Sequence, residues 1–304
     1  MPAPMSEPVN GQSPAAKAPV RWPAEAIWQA VAPRLPAFTV EVLPQIDSTN
    51  SELMRRCRAA ASAASPPAPE AILLVAEHQS AGRGRLGRHW HSEAGASLTF
   101  SLGLPLQPAD WSGLSLAVGV SLADSLAPQT HEGDQLQLKW PNDLWFKDCK
   151  LGGILVETAS WGDQRYVVIG VGLNVMIPAQ SFETAAQSGM PPGVTATSLQ
   201  AMWPGVDAPW ALQAVAAPLV AAMLAFEREG FAPFQARFAA RDALAGRAVR
   251  LSDGTEGSAC GVGPQGALRV QTAAGMRDIS SQEVSVRPLA AAQPPFATVG
   301  TNRL

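Results

Sequence analysis

The chain has 304 residues, of which 47% are hydrophobic and 15% charged, and its net charge is −3. That much apolar material suits one large unit with a small one, or two modest units, while the mild acidity excludes long-range attraction to nucleic acid or an anionic membrane as a property of the whole surface. Cys57, Cys149 and Cys260 are odd in number and widely separated, which fits a reducing cytoplasm and argues against a disulfide framework or a cysteine zinc site. No stretch of about 18 apolar residues is free of charges and prolines, so no membrane span is predicted.

Residues 1–21 are rich in Pro, Ala, Ser and Gln; they have no secretory signal and read as a disordered tail. Pro23 to Ala32 predicts a short helix with Pro in its first turn and Pro33 ending it. Phe38, Val40 and Val42 alternate as a half-buried strand does. Thr49-x-x-Glu52 is a capping box, so a second helix starts there. Ser65 to Pro69 is a loop, and Ala71 to Ala76 is an apolar strand feeding the segment Ala81 to Trp90.

That segment is the most distinctive in the chain. Three arginines and three glycines fall within the seven residues Gly82-Arg-Gly-Arg-Leu-Gly-Arg88. Glycines let the main chain approach a ligand, and arginines supply permanently charged planar forks for carboxylate or phosphate. Gly82-x-Gly84-x-x-Gly87 also satisfies a dinucleotide fingerprint, but that pattern must open a helix, and the next element, Ser97 to Leu102, reads as a strand. A patch for nucleic-acid phosphates is the other reading, set against a chain that is acidic overall. His89 and His91 make a His-x-His pair without a third ligand nearby, a weak metal signature.

Trp111 to Leu126 has helical spacing. Gln135 to Trp140, Lys150 to Glu157 and Tyr166 to Val175 then read as strands carrying polar or charged groups at their ends, where sites on sheets commonly form. Residues 178–195 lack periodicity, and a loop of that length suggests function. A helical region follows from Thr197 to Arg241, broken near Pro204, Pro209 and Pro233. From Gly246 the texture changes to short strands at 248–251, 257–262, 267–271 and 284–287, punctuated by turns such as Asp253-Gly254 and Pro264-Gln-Gly266. These suit a small β-barrel or sandwich, and the chain from about Ala290 reads as a tail.

Arg83, Arg85, Arg88, Lys139, Asn142, Asp143, Lys150 and Asn174 all lie near glycines or strand ends. Singly, each has a bland account: Lys139 as a solvated charge, Asn142-Asp143 as a turn, Trp90 and Trp140 as packing residues. Together they would surround an anion-rich reaction with several cations and one carboxylate.

Asp47-Ser-Thr-Asn50, Gly82-Arg-Gly-Arg-Leu-Gly-Arg88-x-Trp90, Lys139-Trp-Pro-Asn-Asp143, Lys150-Leu-Gly-Gly-Ile-Leu-Val-Glu157 and Gly170-Val-Gly-Leu-Asn174 resemble, in order, the motifs of biotin–protein ligases. The resemblance implies an α+β fold. A catalytic domain over residues 22–244 would carry a mixed central β-sheet with helices packed on it, as in class II synthetases, and residues 245–289 would form an SH3-like β-barrel. It implies that biotin attacks the α-phosphate of MgATP to give biotinyl-AMP, and that a lysine of a biotin carboxyl carrier domain, on acetyl-CoA carboxylase or a related biotin-dependent carboxylase, then takes the acyl group. Fixed cations would offset the repulsion between the anionic reactants.

By the same resemblance, biotin is held by Ser48, Thr49, Asn50, Gln79, Arg83, Gly84, Arg85, Trp90, Lys150 and Gly153. Arg88, Lys139, Asn142, Asp143 and Asn174 lie on the nucleotide side. Lys150, Arg85 and Asp143 are the catalytic candidates, with Asp143 either holding Mg²⁺ or orienting the acceptor lysine. Residues 178–195 correspond to the segment that closes over the adenylate. The chain departs from some members at Leu86, where they carry an arginine, and nothing before Trp22 could fold into their DNA-binding domain. A cytoplasmic ligase without direct repressor function is expected. A lipoate–protein ligase, a biotinyl-AMP-sensing repressor and an inactive binding module are the rivals.

Overall fold

Strands β1 (Thr39–Ile46) and β2 (Ile72–Gln79) pair in parallel, joined by a crossover containing helix α2 (Thr49–Ala61). Strands β3 (Ser97–Pro105), β4 (Leu136–Lys139), β5 (Asp143–Phe146), β6 (Cys149–Trp161) and β7 (Gln164–Asn174) extend this pair into a seven-stranded mixed sheet of order β1-β2-β3-β7-β6-β5-β4, every other pairing being antiparallel. This computed structural model describes residues 20–62, 69–126, 136–161, 164–177, 194–280 and 286–288.

Side-chain alternation divides the sheet into two unlike faces. Leu98, Phe100, Leu102 and Leu104 of β3, with Val167, Ile169, Val171 and Leu173 of β7, turn to the main core. Helices α1 (Ala24–Val31), α3 (Leu114–Leu126), α5 (Ala208–Glu229) and α6 (Ala232–Ala239) contribute to that core. The alternate residues Thr99, Ser101, Gly103, Gly170 and Gly172 are small, so the other face is shallow. Helix α2 crosses it, burying Leu53, Met54 and Cys57 against Leu74, Tyr166 and Val168. A cavity opens beside its N-terminus, where Asp47 and Ser51 line it.

The cap of α2 lies one residue earlier than the capping box predicts. Ser48 has extended backbone and its hydroxyl accepts from Ser51 N at 3.4 Å. Glu52 pairs instead with Arg55 and Arg56, which leaves the Thr49 hydroxyl to turn inward. Helix α3 starts at Leu114, because Gly113 takes a left-handed φ of 81° in close contact with the Phe231 ring. Pro209 and Pro233 sit in the first turns of α5 and α6, where no amide bond is lost. Pro218 lies within α5 without ending it. By length and composition α5 could cross a bilayer, and nine of its residues, including Leu212, Val215 and Leu219, are buried here. Helix α4 (Leu199–Met202) is a single turn capped by Ser198.

A second, antiparallel sheet of order β11-β10-β9-β8-β12 contains β8 (Ala248–Leu251), β9 (Glu256–Val262), β10 (Leu268–Thr272), β11 (Gly275–Ile279) and β12 (Val286–Pro288). β5 and β11 have no counterpart in the sequence reading. The first is four residues opened by a turn-like Asn-Asp, and the second is mostly exposed and polar. The expectations for residues 1–19, for 178–193 of the long loop, and for the tail from 289 fall outside the described residues.

Candidate active site

The arginine–glycine loop is a closed hairpin. Trp90 N donates to Gly82 O at 2.9 Å, and Gly84 N donates to Arg88 O at 2.7 Å. Gly82 lies so close to the Trp90 carbonyl that a Cβ would not fit. The tip, Arg85–Gly87, is a 3₁₀ turn in which Leu86 takes a φ of 56° and stands 62% exposed. A left-handed leucine costs roughly 1–2 kcal/mol. The loop walls a cavity of about 660 Å³ with Arg83, Gly84, Arg85 and Arg88. Leu155 and Val156 of β6 also line it, as do Pro141 and Ser115.

A buried polar network stands behind this loop. Thr49 N and Oγ1 both donate to Gln79 Oε1, at 2.8 and 3.2 Å. The Ser101 hydroxyl lies 2.7 Å from Thr49 Oγ1 and 2.6 Å from Asn50 Oδ1. Asn50 Nδ2 donates to Leu155 O at 3.2 Å and to Glu157 Oε2 at 3.0 Å. Glu157 in turn takes both arms of Arg83, each contact 3.1 Å long. Gly170 and Gly172 make the network possible, since side chains there would collide with Asn50 and with the Trp90 ring. Ser48, Thr49, Asn50 and Gln79 are thus fixed before any ligand arrives, and the Arg83 guanidinium lies on Glu157.

The charged centre lies at the ends of β5 and β6. Lys150 Nζ is 2.8 Å from Asp143 Oδ1, and both side chains are largely buried. Gly153 lies beside the pair: a Cβ there would be 3.5 Å from each of those atoms. Arg85 Nη1 donates to Asn142 Oδ1 at 3.2 Å, while Asn142 Nδ2 donates to Ile154 O at 2.8 Å, tying the loop to the segment 140–143. Burial lowers the Arg85 pKa below its ordinary value; Asp143 opposes that shift and Arg88 adds to it. A cation held out of water in this way gains most from an arriving anion. Asn174 Nδ2 bridges Lys150 O and Thr197 O at 3.4 and 3.0 Å, joining the start of β6 to the chain returning after residue 194. Lys139 departs from the reading of an exposed end-of-strand charge. It is buried, with its ammonium 4.6 Å from the centre of the Trp145 ring.

Three residues that matter here were not singled out as candidates from the sequence. Ser101 was legible as a lone hydroxyl between Phe100 and Leu102, and Glu157 as the carboxylate closing an apolar strand. Ser115 lines the cavity from the first turn of α3, and its position beside Pro141 follows only from tertiary packing.

A cationic loop that walls a cavity, with a lysine–aspartate pair close to its Arg85, defines an enzyme site that brings anionic reactants together on a mixed α+β sheet. Residues 42–174 match the biotin/lipoate A/B protein ligase family. Over 260 residues the chain is 35% identical to the bifunctional ligase/repressor BirA of Escherichia coli, spanning 84% of this chain and 76% of that protein. A biotin–[acetyl-CoA-carboxylase] ligase of Mycobacterium tuberculosis is 40% identical over 163 residues, 52% of this chain and 57% of the relative. The biotin protein ligase from Aquifex aeolicus in complex with biotin and ATP has a TM-score of 0.65 at 26% identity, covering 82% of this chain and 99% of that one. The chain belongs to the biotin–protein ligase family.

Proposed function

We propose that this protein activates biotin with ATP and transfers it to a lysine of a biotin-dependent carboxylase. In the first step a biotin carboxylate oxygen attacks the α-phosphorus, the bond to the β-phosphate breaks, and pyrophosphate leaves with the electron pair. In the second, a lysine ε-amine attacks the acyl carbon, the bond to AMP breaks, and the amine loses a proton. The observation that carries the reading is the Lys150–Asp143 pair set beside Arg85 near the cavity. Both steps create or redistribute negative charge, and preorganised cations lower the barrier for that redistribution.

Lys150 bridges the biotin carboxylate and the α-phosphate, and Arg85 and Arg88 hold the phosphate side. The network of Thr49, Asn50, Gln79 and Ser101 fixes the floor behind biotin, against Trp90. Asn142 and Asn174 act chiefly by holding the segments on which Arg85 and Lys150 depend. Asp143 would supply one hard oxygen donor to a Mg²⁺ ion brought by the nucleotide and bound mainly through phosphates and water, and such an ion would neutralise phosphate charge. The acceptor is a biotin carboxyl carrier domain, and the setting is the cytoplasm.

The test is biotin-dependent exchange of pyrophosphate into ATP by the purified chain with Mg²⁺, run in parallel with lipoate. Exchange with biotin alone is expected. Exchange with lipoate would move the assignment to the sister enzymes, and none with either acid would overturn the ligase reading.

A further inference from the structure

A turn of the second sheet packs against segments that hold the reaction site. Between β9 and β10, Gly263 N donates to Ala267 O at 2.8 Å and Gly266 N to Gly263 O at 2.9 Å. Gly266 has a φ of 75°, and a Cβ on it would lie 2.7 Å from Gly113 Cα and 3.1 Å from Leu116 Cδ1. Only glycine fits this contact. At that distance its carbonyl accepts a 3.0 Å hydrogen bond from the indole of Trp140, a residue 1% exposed.

Both ends of the contact lead into the site. Trp140 precedes Pro141 on the cavity wall, then Asn142, which receives Arg85, and Asp143, which pairs with Lys150. Gly113 lies two residues before Ser115, another wall residue. We propose that Gly266 and Trp140 are positioning residues for the nucleotide half of the site. The glycine turn of the second sheet clamps the indole, and the indole fixes the segment 141–143 against Arg85 and Lys150. The buried network around Thr49 and Gln79 runs through α2, β2 and β3 and reaches β6 at Leu155 and Glu157, and among the described residues it shares no hydrogen bond with Trp140 or Gly266.

The inference rests on the ligase reading for its kinetic arm. Trp140→Phe removes the donor while keeping a ring, and Gly266→Ala forces the turn away from Gly113. Each variant is expected to raise the KM for ATP in pyrophosphate exchange by about five- to tenfold, the range a lost buried hydrogen bond produces. Each should leave the calorimetric Kd for biotin within about twofold, and the double variant should be no worse than the more severe single one, because both act through one contact. Amide hydrogen exchange supplies a second readout. Ile154, whose N–H donates to Asn142 O, should exchange faster in both variants, whereas Thr49, whose N–H donates to Gln79, should not change.

An unchanged KM with unchanged Ile154 protection would overturn the proposal. So would parallel losses of biotin affinity and Thr49 protection, which mark general destabilisation, or additive effects in the double variant. Were the unsubstituted protein to show no exchange reaction, the ligase reading would fall, and hydrogen exchange would decide the clamp: acceleration confined to Ile154 supports it, and none, or a general increase, overturns it.

Discussion

Lys150 and Asp143 stand 2.8 Å apart, with Gly153 beside them and only 15% and 18% of their side chains exposed. Their charges offset one another within the protein, so an anionic substrate meets a centre whose lysine already has a carboxylate partner. On the proposed function, the Lys150 ammonium would turn to the reacting anions and leave the Asp143 carboxylate to another cation. Removing one partner leaves the other partly buried without its counter-charge, a larger disturbance than losing a surface ion pair.

Lys150→Ala is therefore expected to lower kcat for biotin-dependent pyrophosphate exchange by about 10²–10³, the effect of removing one preorganised charge-stabilising group. Thermal unfolding of the variant checks that the fold is retained. A loss of less than about tenfold would mean that Lys150 does not touch the developing charge.

Asp143→Asn separates the two roles open to this carboxylate. If Asp143 serves the metal and phosphates, exchange falls and the Mg²⁺ concentration needed for half-maximal rate rises. If it orients the acceptor lysine, exchange persists while transfer to the carrier domain fails. The first outcome is expected, because the carboxylate sits at the same end of the sheet as Arg85 and Asn142. Single-turnover transfer of preformed biotinyl-AMP measures the second step by itself.

The network behind biotin has its own signature. Ser101→Ala deprives Thr49 Oγ1 and Asn50 Oδ1 of their shared hydroxyl, and leaving a buried polar group unsatisfied costs about 1–3 kcal/mol. A lower melting temperature and a weaker Kd for biotin are expected, with the KM for ATP little changed. Gly170→Ala should act more strongly, because the methyl would run into the Asn50 amide. Calorimetry with biotin, read beside the melting curve, tests both.

The sequence exposed the charges more clearly than their partners. Alternation of Phe38, Val40 and Val42 marked β1, an apolar run marked β7, and the density of glycine and arginine marked the loop, because each is a local pattern. The face on which the site lies was less visible. It depends on Gly103, Gly170 and Gly172 facing Tyr166, Asn50 and Trp90 while Leu102, Ile169 and Leu173 face the core, and that follows from strand register. The burial of Lys139 against Trp145 and the Trp140–Gly266 contact depend on residues far apart in the chain. The shift of the α2 cap to Ser48 was hidden for another reason. Ser48-x-x-Ser51 and Thr49-x-x-Glu52 overlap, and the competing bond from Thr49 to Gln79 decides between them.

Asp242 provides a prediction about stability alone. Its Oδ1 accepts from Leu244 N at 2.9 Å, whereas Oδ2 is buried with no hydrogen-bond partner. Burial raises its pKa above the ordinary carboxyl value, and the Leu244 amide only partly opposes this. The folded chain thus holds this proton more tightly than the unfolded chain does. Stability falls as pH rises from the unfolded carboxyl value through the raised one, and the penalty is complete above it. Asp242→Asn keeps the Oδ1 acceptor and removes the charge. It should raise the melting temperature at neutral pH by about 2–4 °C, the shift that ~1 kcal/mol produces in chains of this order of size. The gain should fade as the pH approaches about 4, where the unfolded carboxyl itself begins to protonate. Melting curves of both proteins across this range decide the matter: a gain independent of pH would show that ionisation of Asp242 is not its source.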